Sequence, residues 1–89
     1  MPTSTPALNI GDKILIRTVT YFQLGEITAI NDNWITLATA SWVADTGRLS
    51  TAIKDGTLNE VEYLGSIHVS AGAVVDIIPW THELPTETK

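Results

Sequence analysis

Between Gly25 and Leu37 the chain reads Gly-Glu-Ile-Thr-Ala-Ile-Asn-Asp-Asn-Trp-Ile-Thr-Leu, a hydrophobic strand with one glycine, a polar turn and a second hydrophobic strand. Alternate residues of a strand share a face, and asparagine and aspartate tolerate the left-handed backbone of a tight turn. Aliphatic alternation on both sides of Asn31-Asp32-Asn33 therefore predicts an antiparallel hairpin. Gly25, inside the first strand, predicts a bend or a close approach of another backbone. Some thirty residues later, Ile67 to Pro79 holds two more short hydrophobic runs hinged on the small residues Ser70-Ala71-Gly72-Ala73.

The rest of the chain follows the same β-rich grammar. Asp12 to Thr20 alternates, with Ile14 and Ile16 on one face and Leu15, Arg17 and Val19 on the other. Phe22 to Ile30 is a second strand. Trp34 to Val43 is a long third strand, with Ile35, Leu37 and Val43 opposite Trp34, Ala38 and Trp42. Both of its faces carry apolar residues, so both need cover, one from the core and the other from a helix or a neighbouring subunit. A short helix near residues 46–55 supplies such cover. Leu49, Ala52 and Ile53 stand at i, i+3 and i+4, Asp45 or Thr46 can cap its start, and Gly56 stops it after Lys54. Strands resume at Glu60 to Leu64, pass Gly65 to Val69, and end with Val74 to Ile78. The predicted order is β-β-β-α-β-β. One domain spans 10–80, between a loose lead-in at 1–9 and a polar, proline-containing tail at 81–89.

Eighty-nine residues bury only a modest core, about 60–65% of the unfolded surface, so association between copies would hide further apolar area. A hydrophobic fraction of 44% is that of a globular chain. The absence of cysteine excludes disulfides and thiolate metal sites. Neither a signal-peptide pattern nor an apolar run of about 18 residues is present, which predicts a cytoplasmic protein, bacterial or made in a phage-infected host, with no membrane partner. Ten carboxylates against five Lys and Arg give a net charge of −5. Phosphate binding draws affinity from cations that displace counterions, so this balance opposes nucleic acid unless positive charge is gathered on one face.

The two hydrophobic pairs, in their order and spacing, resemble the two-part signature of the Sm-like (LSm/Hfq-type) family. Gly25 stands where the first family motif has its glycine, and Ile30 and Asn31 stand where it has an apolar residue and a turn-ordering aspartate; Ile35 and Leu37 follow in the next strand. In the second motif, counting back from Ile77-Ile78-Pro79 puts Ala71-Gly72 at the turn where the family carries a basic residue. The resemblance implies a mainly β fold, a small five-stranded, strongly bent antiparallel barrel (Sm-like or SH3-like) with one short inserted helix. It further implies a homo-oligomeric ring of five to seven subunits, and RNA or other single-stranded nucleic acid bound at turns beside the pore.

The site this implies joins Asn31, Asp32, Asn33 and Trp34 of the first turn to Ser70, Ala71 and Gly72 of the second. Side-chain amides read base edges and an indole stacks on a base; the same residues also serve as ordinary turn chemistry, with Trp34 packed on a subunit and Gly72 meeting a backbone requirement. A structural or adaptor ring of phage or mobile-element origin, binding protein instead, suits the acidity and the three tryptophans. A ring holding a small planar ligand is a third reading.

No catalytic residue, metal or cofactor is expected. Asp45-Thr46-Gly47 matches the triplet of aspartic proteases, but Arg48 then opens a helix, and Val74-Val75-Asp76-Ile77-Ile78 has an aspartate where the supporting glycine belongs. His68 and His82 lie far apart without a second ligand at metal spacing. Arg17 and Arg48, set among apolar residues, are expected to pair with carboxylates such as Glu62 or Asp76.

Overall fold

The computed structural model describes residues 8–89. Most of the expected lead-in at 1–9 lies outside them. Five strands, β1 (Lys13–Thr18), β2 (Phe22–Ile30), β3 (Trp34–Asp45), β4 (Glu60–Ser70) and β5 (Val74–Pro79), form one antiparallel sheet in the order β4-β3-β2-β1-β5. A helix α1 (Leu49–Asp55) enters between β3 and β4, and a 3-10 turn (Ala71–Ala73) joins β4 to β5. The predicted element order is the observed one. No β4–β5 pairing closes the sheet among the described residues. No helix among the described residues is long and apolar enough to cross a membrane.

Adjacent residues of one strand point to opposite faces, and the sheet carries a core on each. Ile14, Ile16, Ile27, Ile35, Leu37, Ala40 and Val69 form the first cluster, with Ile67, Val74 and Ile77 packed against it. Leu15, Leu24, Val43, Val61, Ala52 of α1, Leu58 and Trp80 form the second. The expectation that β3 is covered on both sides, one of them by a helix, is met. Its face assignment is not. Thr39 is an extra residue in β3, with φ of 47° and a register shift between Ala38 and Ala40. One unmatched residue reverses the alternation beyond it. Ile35 and Leu37 therefore belong to the first cluster and Val43 to the second, while Trp42 turns outward.

Gly25 and Gly65 flank this bulge on the neighbouring strands. A Cβ on Gly25 would lie 2.9 Å from the Leu37 Cβ and 3.1 Å from the Ala38 carbonyl oxygen, so the glycine lets β2 and β3 approach, as its place in the sequence predicts. Gly65 pairs with Ala40 at a positive φ of 88°. The irregularities in β2, β3 and β4 thus fall on one line across the sheet.

The helix starts later than its expected cap. Arg48 occupies the N-cap with no side-chain hydrogen bond, and Asp45 and Thr46 do not cap α1. The Asp45 carboxylate instead accepts from the Gly47 amide at 2.7 Å, and the Thr46 hydroxyl donates to the Gly47 carbonyl at 2.8 Å. Both side chains are spent on the turn that precedes the helix. The stop is as predicted: Gly56 is left-handed (φ 75°) and its amide returns to the Ala52 carbonyl. Residues 81–89, expected to be a loose tail, run back over the second face. Leu84 packs there, and the His82 Nε2 donates to the Ile53 carbonyl at 2.8 Å.

Candidate functional site

The β2–β3 turn is built by its first asparagine. The Asn31 Oδ1 accepts from the amides of Asn33 (2.8 Å) and Trp34 (2.9 Å), while the Asn31 amide donates to the Trp34 carbonyl at 3.0 Å. The side-chain carbonyl is thereby occupied, so Asn31 shapes the turn rather than offering both halves of its amide to a ligand. Asp32 and Asn33 are exposed at the tip.

The second turn sits against the first. Trp34 pairs with Ser70 across β3 and β4, and the Ala71 amide donates to the Asn33 carbonyl at 2.8 Å. Asn31, Asp32, Asn33, Trp34, Ser70, Ala71 and Gly72, which come from two segments nearly forty residues apart, are therefore neighbours. Gly72 does not play the part expected of it. It lies in a 3-10 turn without a positive φ, and an added Cβ would meet nothing nearer than the Ser70 hydroxyl at 3.8 Å. The backbone there accepts a side chain.

Two further residues belong to this surface. Thr36 pairs with His68 one step along from Trp34 and Ser70, and the Thr36 hydroxyl and the His68 Nδ1 stand 2.9 Å apart. Asn31, Trp34, Thr36 and His68 line a shallow depression of about 390 Å³. The Trp34 side chain is the large apolar group of this depression and is 49% exposed. Sequence reasoning does not single out Thr36 and His68 for this surface; the register that opposes Trp34 to Ser70 also opposes Thr36 to His68 two residues on.

Chemically, the surface offers a flat indole, an imidazole fixed by a neighbouring hydroxyl, and free amide groups at the turn tip. The turn contributes the carboxylate of Asp32 and neither lysine nor arginine. Such a surface stacks on a planar group and hydrogen-bonds its edge; it has little to hold a phosphate.

A second exposed surface lies at the far end of β3. Tyr21 and Trp42 meet with ring centroids 4.5 Å apart and planes inclined at 56°, beside Ala44, Glu60 and Glu62. Trp42 reaches this face because of the extra residue at Thr39. Arg17 is paired with Asp76 across β1 and β5, one of the two partners expected for it. Arg48 has no ion pair among the described residues.

No protein-family model matches the chain, and neither the curated proteins nor the solved structures compared with it show a significant similarity.

Proposed function

We propose that the chain is the subunit of an Sm-like homo-oligomeric ring that binds single-stranded RNA or DNA by stacking bases on Trp34. One observation carries this reading: a half-exposed indole stands in a depression with Asn31, Thr36 and His68, at the junction of two turns. Stacking on an aromatic side chain is worth roughly 1–3 kcal/mol per base and tolerates any base. The amides of the turn tip and the imidazole then contact base edges, and Ala71 and Gly72 lie in the adjoining turn, held to it by the Ala71–Asn33 backbone hydrogen bond.

The proposed ring requires a strongly bent, barrel-like sheet, and the topology supports it. β4 and β5 lie at opposite sides of the strand order yet are joined by a 3-10 turn of three residues. That turn advances about 2 Å per residue, whereas β4 and β5 in a flat sheet would be four spacings of about 4.8 Å apart. Val69 of β4 and Val74 and Ile77 of β5 also converge on one cluster. The outer edge of β5 and the Leu64–Ser70 part of the outer edge of β4 are then free for neighbouring subunits, whose repetition closes a ring of five to seven copies.

Anisotropy titrations of labelled poly(U), poly(A) and single-stranded DNA at low salt test the binding. Saturable binding that Trp34→Ala weakens about tenfold supports the reading; no binding to any of the three removes it. A second reading is favoured by the Tyr21–Trp42 pair beside two glutamates on an acidic chain: a structural or adaptor ring that meets protein. It predicts that Trp42→Ala abolishes partner binding while Trp34→Ala leaves it intact, as pull-downs with a candidate partner would measure.

A further inference from the structure

The outer edge of β4 is covered along one half and open along the other. Trp80, buried directly after β5, donates from Nε1 to the Glu83 carbonyl at 3.2 Å, and Leu84 packs on the second cluster. These contacts, with that of His82, anchor residues 80–89 over the second face. The segment then reaches β4 on the side away from β3. The Val61 amide donates to the Lys89 carbonyl and the Lys89 amide to the Val61 carbonyl, both at 2.8 Å. The Tyr63 amide donates to the Thr88 hydroxyl at 3.1 Å. From Leu64 to Ser70 the outer backbone has no partner among the described residues.

We infer that residues 80–89 are a strap that closes the first half of this edge to strand addition and confines an incoming strand to Leu64–Ser70. A strand adding along Val61–Tyr63 would have to break the reciprocal pair and the Thr88 contact while Trp80, His82 and Leu84 hold the strap in place. A strand adding beyond Tyr63 breaks nothing. The open stretch of seven residues matches the six of β5 rather than the full eleven of β4. The strap therefore sets the offset between copies, and a fixed offset decides whether repetition closes or continues as an open filament. The identity of the incoming strand as a neighbour's β5 rests on the assembly reading above; the closure of Val61–Tyr63 does not.

Two full-length variants separate the backbone contact from the side chain. Lys89→Pro removes the amide that serves the Val61 carbonyl, and Lys89→Ala keeps it. Amide exchange at Val61 and Tyr63 should quicken about fivefold or more in the proline variant and stay unchanged in the alanine variant, as expected from the loss of one net backbone hydrogen bond. Native mass spectrometry should show the proline variant shifted to larger and more heterogeneous assemblies than wild type. Unaltered exchange, or faster exchange with an unaltered mass distribution, overturns the strap. A monomeric wild type removes the ring, but the proline variant must still associate more than wild type does, so the two failures are distinguishable.

Discussion

Two glycines separate what a turn needs from what it merely contains. Gly56 is left-handed, and a Cβ there would lie 2.6 Å from the His82 ring. Gly56→Ala is expected to cost about 2 kcal/mol, from the left-handed backbone and the displaced imidazole together, read as a lower midpoint in urea. Gly72→Ala, with no clash and no positive φ, is expected to stay within about 0.5 kcal/mol of wild type in the same measurement. The sequence marks both as turn glycines, because composition reveals a turn but not its dihedral angles. It identifies Gly25 as a close-approach residue more securely, since a strand of aliphatics gives up a packing side chain only where something must come near. At the candidate site the two turns are legible and their neighbours are not. Asn-Asp-Asn and Ser-Ala-Gly-Ala interrupt hydrophobic runs, whereas Thr36 and His68 emerge only once register is known. The Asn31 amide, expected to face a ligand, instead uses its carbonyl as the keystone of its own turn.

Strands and helix are legible because each carries a period, and their joints are less so. Alternation locates all five strands, and the Leu49-Ala52-Ile53 spacing with Gly56 locates the helix. Asp45 and Thr46 resemble caps because capping residues and turn residues are chemically the same; only their distance from the first helical amide tells them apart. The segment after β5 has no period and so resembles a tail, although Trp80 is 3% exposed among Leu15, Leu24, Val43 and Ala52. Truncating that indole should open a cavity under α1 and the strap at once. Trp80→Ala is therefore expected to lose about 3–5 kcal/mol, measurable by denaturant titration, and to uncouple the strap's amide protection from that of the central strands. Leu64, by contrast, is about half exposed and belongs to neither cluster, and Leu64→Ala should change stability by less than about 1 kcal/mol.

For the molecule as a whole, charge and edges set the behaviour. A net charge of −5, with Arg17 engaged by Asp76, leaves few cations for phosphates. Binding at the Trp34 depression should therefore depend weakly on salt, losing less than about tenfold between 50 and 200 mM, where a surface neutralising six or more phosphates loses about a thousandfold or more. Adding a cation at the second turn with Ala71→Arg should both tighten binding and steepen that dependence. The free edge of β5 is best tested at Val75, which is 55% exposed, rather than at Ile77, which packs on the first cluster. In the proposed ring, Val75→Lys should yield smaller species in light scattering while the strand content seen by circular dichroism stays that of wild type. Thr39, finally, works like a frame-shifting letter in the pattern of inside and outside. Its removal would take nothing from either core, yet the second half of β3 would be read in the other phase. Trp42 would be driven under the helix and Val43 out into water. A one-residue deletion at this position would thus be harsher than emptying a buried site, because it reassigns every later side chain of β3 instead of deleting one.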